Sequence, residues 1–279
     1  MMTMNNKRVW FITGASKGIG RSLVKQLLAQ GERVAATSRN VEALIDSQPQ
    51  SPDFLPLAVD LTSDASVAAA VQQVVDRFGT IDVVVNNAGY GIGGSIEELT
   101  DEEARASFDV NVFGTLNVIR QVMPILRAQQ SGHIINISSI AGITANTGWA
   151  VYGAAKYAVV GLSEVLAQDV RAFGINVTVV APGAFRTQFL SDESIVMAKN
   201  PIDAYEAVRS SHAYYLTLDG KQAGDPEKAA SAMIEVASVP DPPLYLLLGT
   251  DAYQRAFHKL DVMRTEWATW ERLTKSTDY

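Results

Sequence analysis

Seven short runs rich in Val, Ile, Leu and Ala constrain this chain most: Arg8–Thr13, Arg33–Thr37, Phe54–Val59, Ile81–Asn86, His133–Ser138, Asn176–Ala181 and Leu244–Leu248. They are nearly continuous in apolar character rather than alternating, which suits strands buried on both faces of a parallel sheet. Between them, helix-period segments run over Gly18–Gln30, Asp64–Phe78, Asp101–Gln129, Val151–Phe173 and Pro226–Ala237. Parallel neighbours need such crossovers. Helix starts are marked at Asp64 and at Asp225-Pro226, which puts proline in the first helical position. The rhythm predicts an α/β fold, a doubly wound parallel sheet of about seven strands flanked by helices. With no internal repeat and no low-complexity linker, residues 1–279 are expected to form a single domain.

Two stretches break that rhythm. Residues 187–224 mix aromatics with turn formers and are expected to rise above the sheet as a lid, since loops of that length are uncommon unless functional. Residues 251–272 carry Phe257, Leu260, Met263, Trp267 and Trp270 at spacings of three and four, the stripe of a helix packed on the domain or on a second subunit. That helix opens a C-terminal extension, 250–279. Composition removes several functions. Apolar residues at 47% and charged residues at 19% exclude disorder for the bulk of the chain. A net charge of −7 without a Lys/Arg cluster argues against a nucleic-acid partner. The absence of cysteine excludes disulfides, thiolate metal sites and a thiol nucleophile. His133, His212 and His258 lie too far apart for a local metal motif and read as surface or packing residues. No run nears the roughly 18 apolar residues of a membrane span. The N-terminal stretch lacks a signal peptide's apolar core, so a cytoplasmic protein is expected.

The first strand runs directly into Thr13-Gly14-Ala15-Ser16-Lys17-Gly18-Ile19-Gly20 and then a helix. Glycines there permit a tight turn and a close approach to a pyrophosphate, while the helix start offers unpaired N–H groups and a positive dipole. A glycine-rich turn in that setting predicts dinucleotide binding. The second strand ends Thr37-Ser38-Arg39-Asn40, with no carboxylate before Glu42 to hold the ribose hydroxyls of NAD. Arg39 instead offers a bidentate partner for a 2′-phosphate, with the Ser38 hydroxyl beside it and Lys17 as a second cation. NADP(H) is the expected cofactor.

The fifth strand ends Ile137-Ser138-Ser139, at the carboxyl edge where open α/β sheets bind ligands. On the next helix Tyr152 and Lys156 stand four residues apart and share a face. A phenol with a pKa of about 10 is a poor acid–base catalyst at neutral pH, and a nearby ammonium, reinforced by a positively charged nicotinamide, is expected to lower that value. Glycine turn, strand-end serine and Tyr/Lys pair, taken in order, predict one catalytic site.

Taken together, TGASKGIG at 13–20, Asp60, NNAG at 86–89, Asn111, Ile137-Ser138-Ser139, Tyr152-Gly-Ala-Ala-Lys156 and Pro182-Gly183 resemble the short-chain dehydrogenase/reductase family over residues 7–190. The resemblance implies a Rossmann-like fold, a nicotinamide cofactor, and hydride exchange between a carbonyl and an alcohol. It assigns catalysis to Asn111, Ser139, Tyr152 and Lys156. Tyr152 would be the proton donor and acceptor, Lys156 would bind the nicotinamide ribose, Ser139 would hold the substrate oxygen, and Asn111 would anchor a relay water. The implied cofactor contacts begin with Gly14, Ser16, Lys17, Gly18, Ile19, Gly20, Ser38 and Arg39. They continue through Asp60 and Leu61 near adenine, then Asn87, Ala88 and Gly89 along the adenosine side. Tyr152, Lys156, Pro182, Gly183 and Thr187 complete them, Thr187 on the nicotinamide carboxamide. Two departures matter: Ala155 stands where many members have Ser, and Leu244–Gly249 is followed by about thirty residues in place of the family's common Gly-Gly ending. That ending often supports a tetramer, so a homodimer through Asp101–Gln129 and Val151–Phe173 is expected instead.

Candidate substrate contacts are Tyr90, Ser139, Trp149, Tyr152, Phe185 and Phe189, with Ile92, Ile140, Ala141 and some of Tyr205, Tyr214 and Tyr215 as further wall positions. Such a wall suits a hydrophobic ketone or alcohol. The lid aromatics have a second reading, as mere packing. Two other functions stay open: a non-catalytic NADP(H) sensor of the same fold, and a nicotinamide-dependent epimerase or dehydratase.

Overall fold

The computed structural model describes residues 7–191 and 194–279. Its strands in chain order are β1 (Val9–Ile12), β2 (Arg33–Ser38), β3 (Phe54–Ala58), β4 (Val83–Asn86), β5 (Gly91–Gly93), β6 (Gly132–Ile137), β7 (Ile175–Pro182), β8 (Ile195–Met197) and β9 (Tyr245–Leu248). The helices are α1 (Gly18–Ala29), α2 (Val41–Ser47), α3 (Asp64–Phe78), α4 (Asp101–Phe108), α5 (Gly114–Gln129), α6 (Ala150–Val170), α7 (Glu206–Thr217), α8 (Pro226–Val236), α9 (Thr250–Thr269) and α10 (Glu271–Lys275). Seven strands form one parallel sheet in the order β3-β2-β1-β4-β6-β7-β9, and all seven expected runs are in it. The chain winds outward in both directions from β1 and β4, so the crevice between their carboxyl ends is the topological switch point.

Strand alternation splits the core in two. Val9 and Phe11 face α3, α5 and α6, packing with Val67, Val74, Val118, Leu126 and Ile134. Trp10 and Ile12 face α1 and α8, packing with Leu23, Leu27, Val85, Ile135 and Met233. A strand covered on both sides has no polar face to alternate with, which is why these runs read as continuous apolar sequence.

Three expectations need correction. The single helix expected over Asp101–Gln129 is interrupted by a π-helical turn at Asp109–Phe113, and helix-period patterning cannot register that extra residue. The segment Ala150–Phe173 is long and apolar enough to cross a membrane by length and composition alone, contrary to the statement that no run comes near. Its Tyr152, Ala155, Lys156, Val159, Ser163 and Val170 are buried, the pattern of a core helix. For the stripe on α9, the first of its two readings is corrected: it does not pack on the sheet domain, which leaves a second subunit. Only Ala252 and Ala256 of that helix are buried, while Phe257, Leu260, Trp267 and Trp270 face outward. The 187–224 excursion carries β8, which pairs with β5, and α7, neither of which shows a clear period in the sequence.

Candidate active site

The glycine turn closes on itself through neighbours in the sheet. Gly14 (φ +64°) and Gly18 (φ +57°) adopt left-handed conformations, and a Cβ at Gly14 would lie 2.6 Å from Ala88 Cα. The Asn87 side chain donates to the carbonyls of Thr13 (3.0 Å) and Gly14 (2.9 Å), while the Thr13 hydroxyl accepts from the N–H groups of Asn87 and Ala88. Asn87 is therefore tied into the turn by its own side chain. At the start of α1 no side chain caps the helix and no acid occupies the first turn, a donor set that suits a diphosphate. Ser38 Oγ lies 3.3 Å from Ser16 Oγ. Arg39 is exposed beside them, and its charge reaches both Asp60 and Tyr90. Asp60 accepts from the Thr62 hydroxyl (2.7 Å) and N–H (2.9 Å), which together hold its carboxyl below the usual range. Leu61 sits against Gly114, and its carbonyl accepts from Asn117. Thr187 overhangs the turn, its Cβ 3.4 Å from where a Gly18 side chain would begin.

The second half of the site is built where β6 meets α6. Ser138 is buried and donates to the Lys156 carbonyl (2.8 Å), so it fastens helix to strand. Ser139, one residue on, is only half-buried, and its Oγ accepts from Ala141 N–H (3.1 Å). The pair is thereby sorted: Ser138 is spent on fastening helix to strand, and Ser139 keeps a half-buried hydroxyl at the strand's end that also reaches Tyr152. Gly142 allows this approach, because a Cβ there would collide with Ser138 Oγ and the Lys156 carbonyl. Deeper, Asn86 donates to Asn136 (2.8 Å) and Asn136 to Ser163 (2.8 Å), a buried polar chain linking β4, β6 and α6.

Tyr152 and Lys156 are both buried, with Lys156 Nζ 5.8 Å from the phenol ring centre and donating to the Ile137 carbonyl (3.1 Å). Asn111, in the π turn, donates to the carbonyls of Ser107 (2.9 Å) and Tyr90 (3.2 Å) and accepts from Tyr90 N–H. Single π turns recur at functional sites. Gly89 lies between Asn111 and Lys156, where a Cβ would come 3.3 Å from Nζ. Burial pushes the Tyr152 phenol up to about 12, the Ser139 hydroxyl pulling it partly back, and burial pushes Lys156 down to about 8. Among the protein's own groups, then, desolvation is the largest influence on the phenol, and the Ser139 hydroxyl is what opposes it.

Over Tyr152 stands an aromatic wall. Trp149 meets Tyr152 (6.3 Å between centres), His212 (5.2 Å) and Tyr215 (5.6 Å) edge-on, and Phe189 packs on Tyr152 at 5.8 Å. Ile92, Leu99, Ala141 and Ile195 fill behind them. Phe185 is a correction: it packs into the core under α1 and α8 and against Gly224, away from this wall. Ile140 turns instead toward Ala252 and Ala256 of α9. Tyr214 is exposed, and Tyr205 donates to Glu97 (2.6 Å) rather than facing Tyr152. Sequence reasoning missed what holds the wall. Glu98 is buried and ion-paired with Arg209 of α7, and it accepts from the N–H groups of Ser95 (2.8 Å) and Ile202 (2.7 Å). Burial raises this carboxyl, but those hydrogen bonds and Arg209 more than reverse it, to about 2. His212, read only as a surface or packing residue, packs here and lies 2.9 Å from the Gly148 carbonyl.

Known proteins agree with this architecture. The short chain dehydrogenase family model matches residues 8–195. Oxidoreductase BOA17 of Botryotinia fuckeliana is 36% identical over 96% of this chain and 98% of its own. The 3-ketodihydrosphingosine reductase of Bacteroides thetaiotaomicron is 34% identical over 87% and 88% respectively. A short-chain dehydrogenase from Streptomyces avermitilis has a crystal structure that superposes with a TM-score of 0.90 at 36% identity, covering 98% of this chain and 100% of that one. The chain belongs to the short-chain dehydrogenase family and has its Rossmann-like fold. It is an oxidoreductase, and solved structures of like fold carry NAD or NADP.

Proposed function

We propose that this protein reduces the carbonyl of a hydrophobic ketone or aldehyde with NADPH, and oxidises the matching alcohol in reverse, with Tyr152 as the acid/base. The observation that carries the reading is the buried Tyr152–Lys156 pair beside Ser139 at the carboxyl end of β6. When bound, NADPH supplies the hydride. Tyr152, held as a phenol at neutral pH by burial, donates a proton to the developing alkoxide. Ser139 shares that oxygen and stabilises its charge. Lys156 binds the ribose, and the Tyr152 proton is resupplied through that link and a water anchored by Asn111. Gly14, Ser16, Ile19 and Gly20 receive the diphosphate, and Ser38, Arg39 and Lys17 the 2′-phosphate.

Trp149, Phe189 and Tyr90 contact the substrate's apolar body, under a lid made of 187–224. The relative that acts on a long-chain ketone, the Bacteroides reductase, supports an apolar carbonyl substrate. Phe113, Tyr157 and Val165, exposed on the π turn and α6, support homodimer formation through those helices. The test is NADPH consumption against short, aryl and long-chain ketones and aldehydes. Turnover that improves with apolar bulk is the expected result. Tight NADPH binding with no turnover of any carbonyl would point to the sensor instead.

A further inference from the structure

The C-terminal extension touches two loops that lead to the active site. Asp251, in the first turn of α9, accepts from Ala184 N–H (2.9 Å). Its carboxylate fills the space a side chain at Gly183 would need. Three residues beyond Ala184 is Thr187, which overhangs Gly18. Arg255, one turn further along the same face, donates through Nη2 to Thr144 Oγ1 (2.6 Å) and Asn146 Oδ1 (2.7 Å). Those two residues lie midway in the loop that begins at Ser139 and ends at Trp149. Thr144 in turn donates to the Ile140 carbonyl (3.2 Å), and Ile140 packs on Ala252 and Ala256 between the two polar contacts. One rigid helix therefore holds the loop leading to Thr187 and the loop leading from Ser139.

We propose that Asp251 and Arg255 are positioning residues for the reductase reaction, fixing the nicotinamide-side loop relative to the loop that presents Ser139 and Trp149. The role rests on the function proposed above. Neither residue reaches the reacting atoms; both act through backbone they restrain. A displacement of about 1 Å at a reacting group can cost roughly a hundredfold in rate, so losing this clamp should show in kcat well before it shows in cofactor affinity.

The experiment uses the full chain and four variants, Arg255→Met, Arg255→Lys, Asp251→Ala and Trp267→Ala, the last on the outward face of α9. Amide hydrogen exchange is read first, with NADPH present. Arg255→Met should speed exchange in 139–149 about tenfold and Asp251→Ala in 183–187, each leaving the other loop unchanged. With acetophenone or 2-decanone as substrate, Arg255→Met should lower kcat at least tenfold, with the NADPH dissociation constant within about twofold of wild type. Arg255→Lys should recover much of the rate, because one nitrogen of Arg255 makes both contacts. Trp267→Ala should leave both readouts at wild-type level. Unchanged exchange in both loops overturns the clamp whatever the activity. Altered exchange with unchanged kcat overturns its part in catalysis. Failure of the reductase reading looks different: wild type itself would turn over neither ketone.

Discussion

Around Gly14–Gly20 the chain holds its shape through near neighbours in the sheet: glycines in left-handed conformations, Asn87 and Thr13 exchanging neutral hydrogen bonds, and Ala88 against Gly14. The wall above Tyr152 is held from afar. Glu98 reaches Arg209 across more than a hundred residues of chain, and His212 and Tyr215 arrive on α7 to meet Trp149. The difference separates what must be constant from what can vary. A cofactor seat made of backbone tolerates little change, whereas a wall made of side chains on a tethered excursion can be reshaped while the chemistry beneath stays put.

The comparison can be broken from either side. Gly14→Val should do most damage, since a strained φ and a collision with Ala88 together cost about 4 kcal/mol. NADPH binding, followed by fluorescence titration, should be lost. Glu98→Ala should cost about 3 kcal/mol in urea unfolding by leaving Arg209 unpaired, the lower end of the range because Arg209 is partly exposed. In contrast to the glycine variant, it should leave NADPH affinity within about twofold and spoil turnover of bulky ketones, as KM rather than cofactor binding reports.

Acid should separate two groups. His133 is buried beside Thr178 with its pKa pushed down to about 4 by burial, chiefly, and by Arg8. Between its ordinary value of about 6.5 and 4 the unfolded chain binds a proton that the folded one refuses. Stability should therefore fall as pH drops through that window, by about 2–3 kcal/mol, and His133→Gln should flatten the fall. Glu98, with a lowered pKa, stabilises fully above its ordinary value. Its contribution should disappear only from about pH 4.5 down to 2, and Glu98→Gln should remove that lower limb. The smallest effect expected is at the cofactor's far end. Arg39→Ala should reduce the preference for NADPH over NADH about tenfold in kcat/KM, roughly the worth of one charge-assisted contact, with stability unchanged.

What was legible in the sequence follows the same division. Strands buried on both faces, the glycine turn and the Tyr152/Lys156 spacing are local patterns, and all appear where the residues implied. The wall was only half legible. Trp149 and Phe189 do pack on Tyr152, but Phe185 turned into the opposite core layer because strand-end geometry, not residue type, sets its side. No period marks Glu98 or Arg209, whose meaning depends on a tertiary contact, and nothing in the sequence shows that Asp251 lies against Gly183. Burial, which spacing does not show, is the largest influence of the protein itself on the phenol and raises its pKa.

The central claim is that Tyr152 is the proton donor, in a site whose hold on NADPH does not depend on the Tyr152 hydroxyl. Wild type and Tyr152→Phe should be compared side by side, by NADPH titration and by consumption of NADPH with the best ketone. The account predicts equal NADPH affinity and a kcat lower by about 10²–10⁴ in the variant. A phenylalanine variant that turns over at the wild-type rate would contradict it.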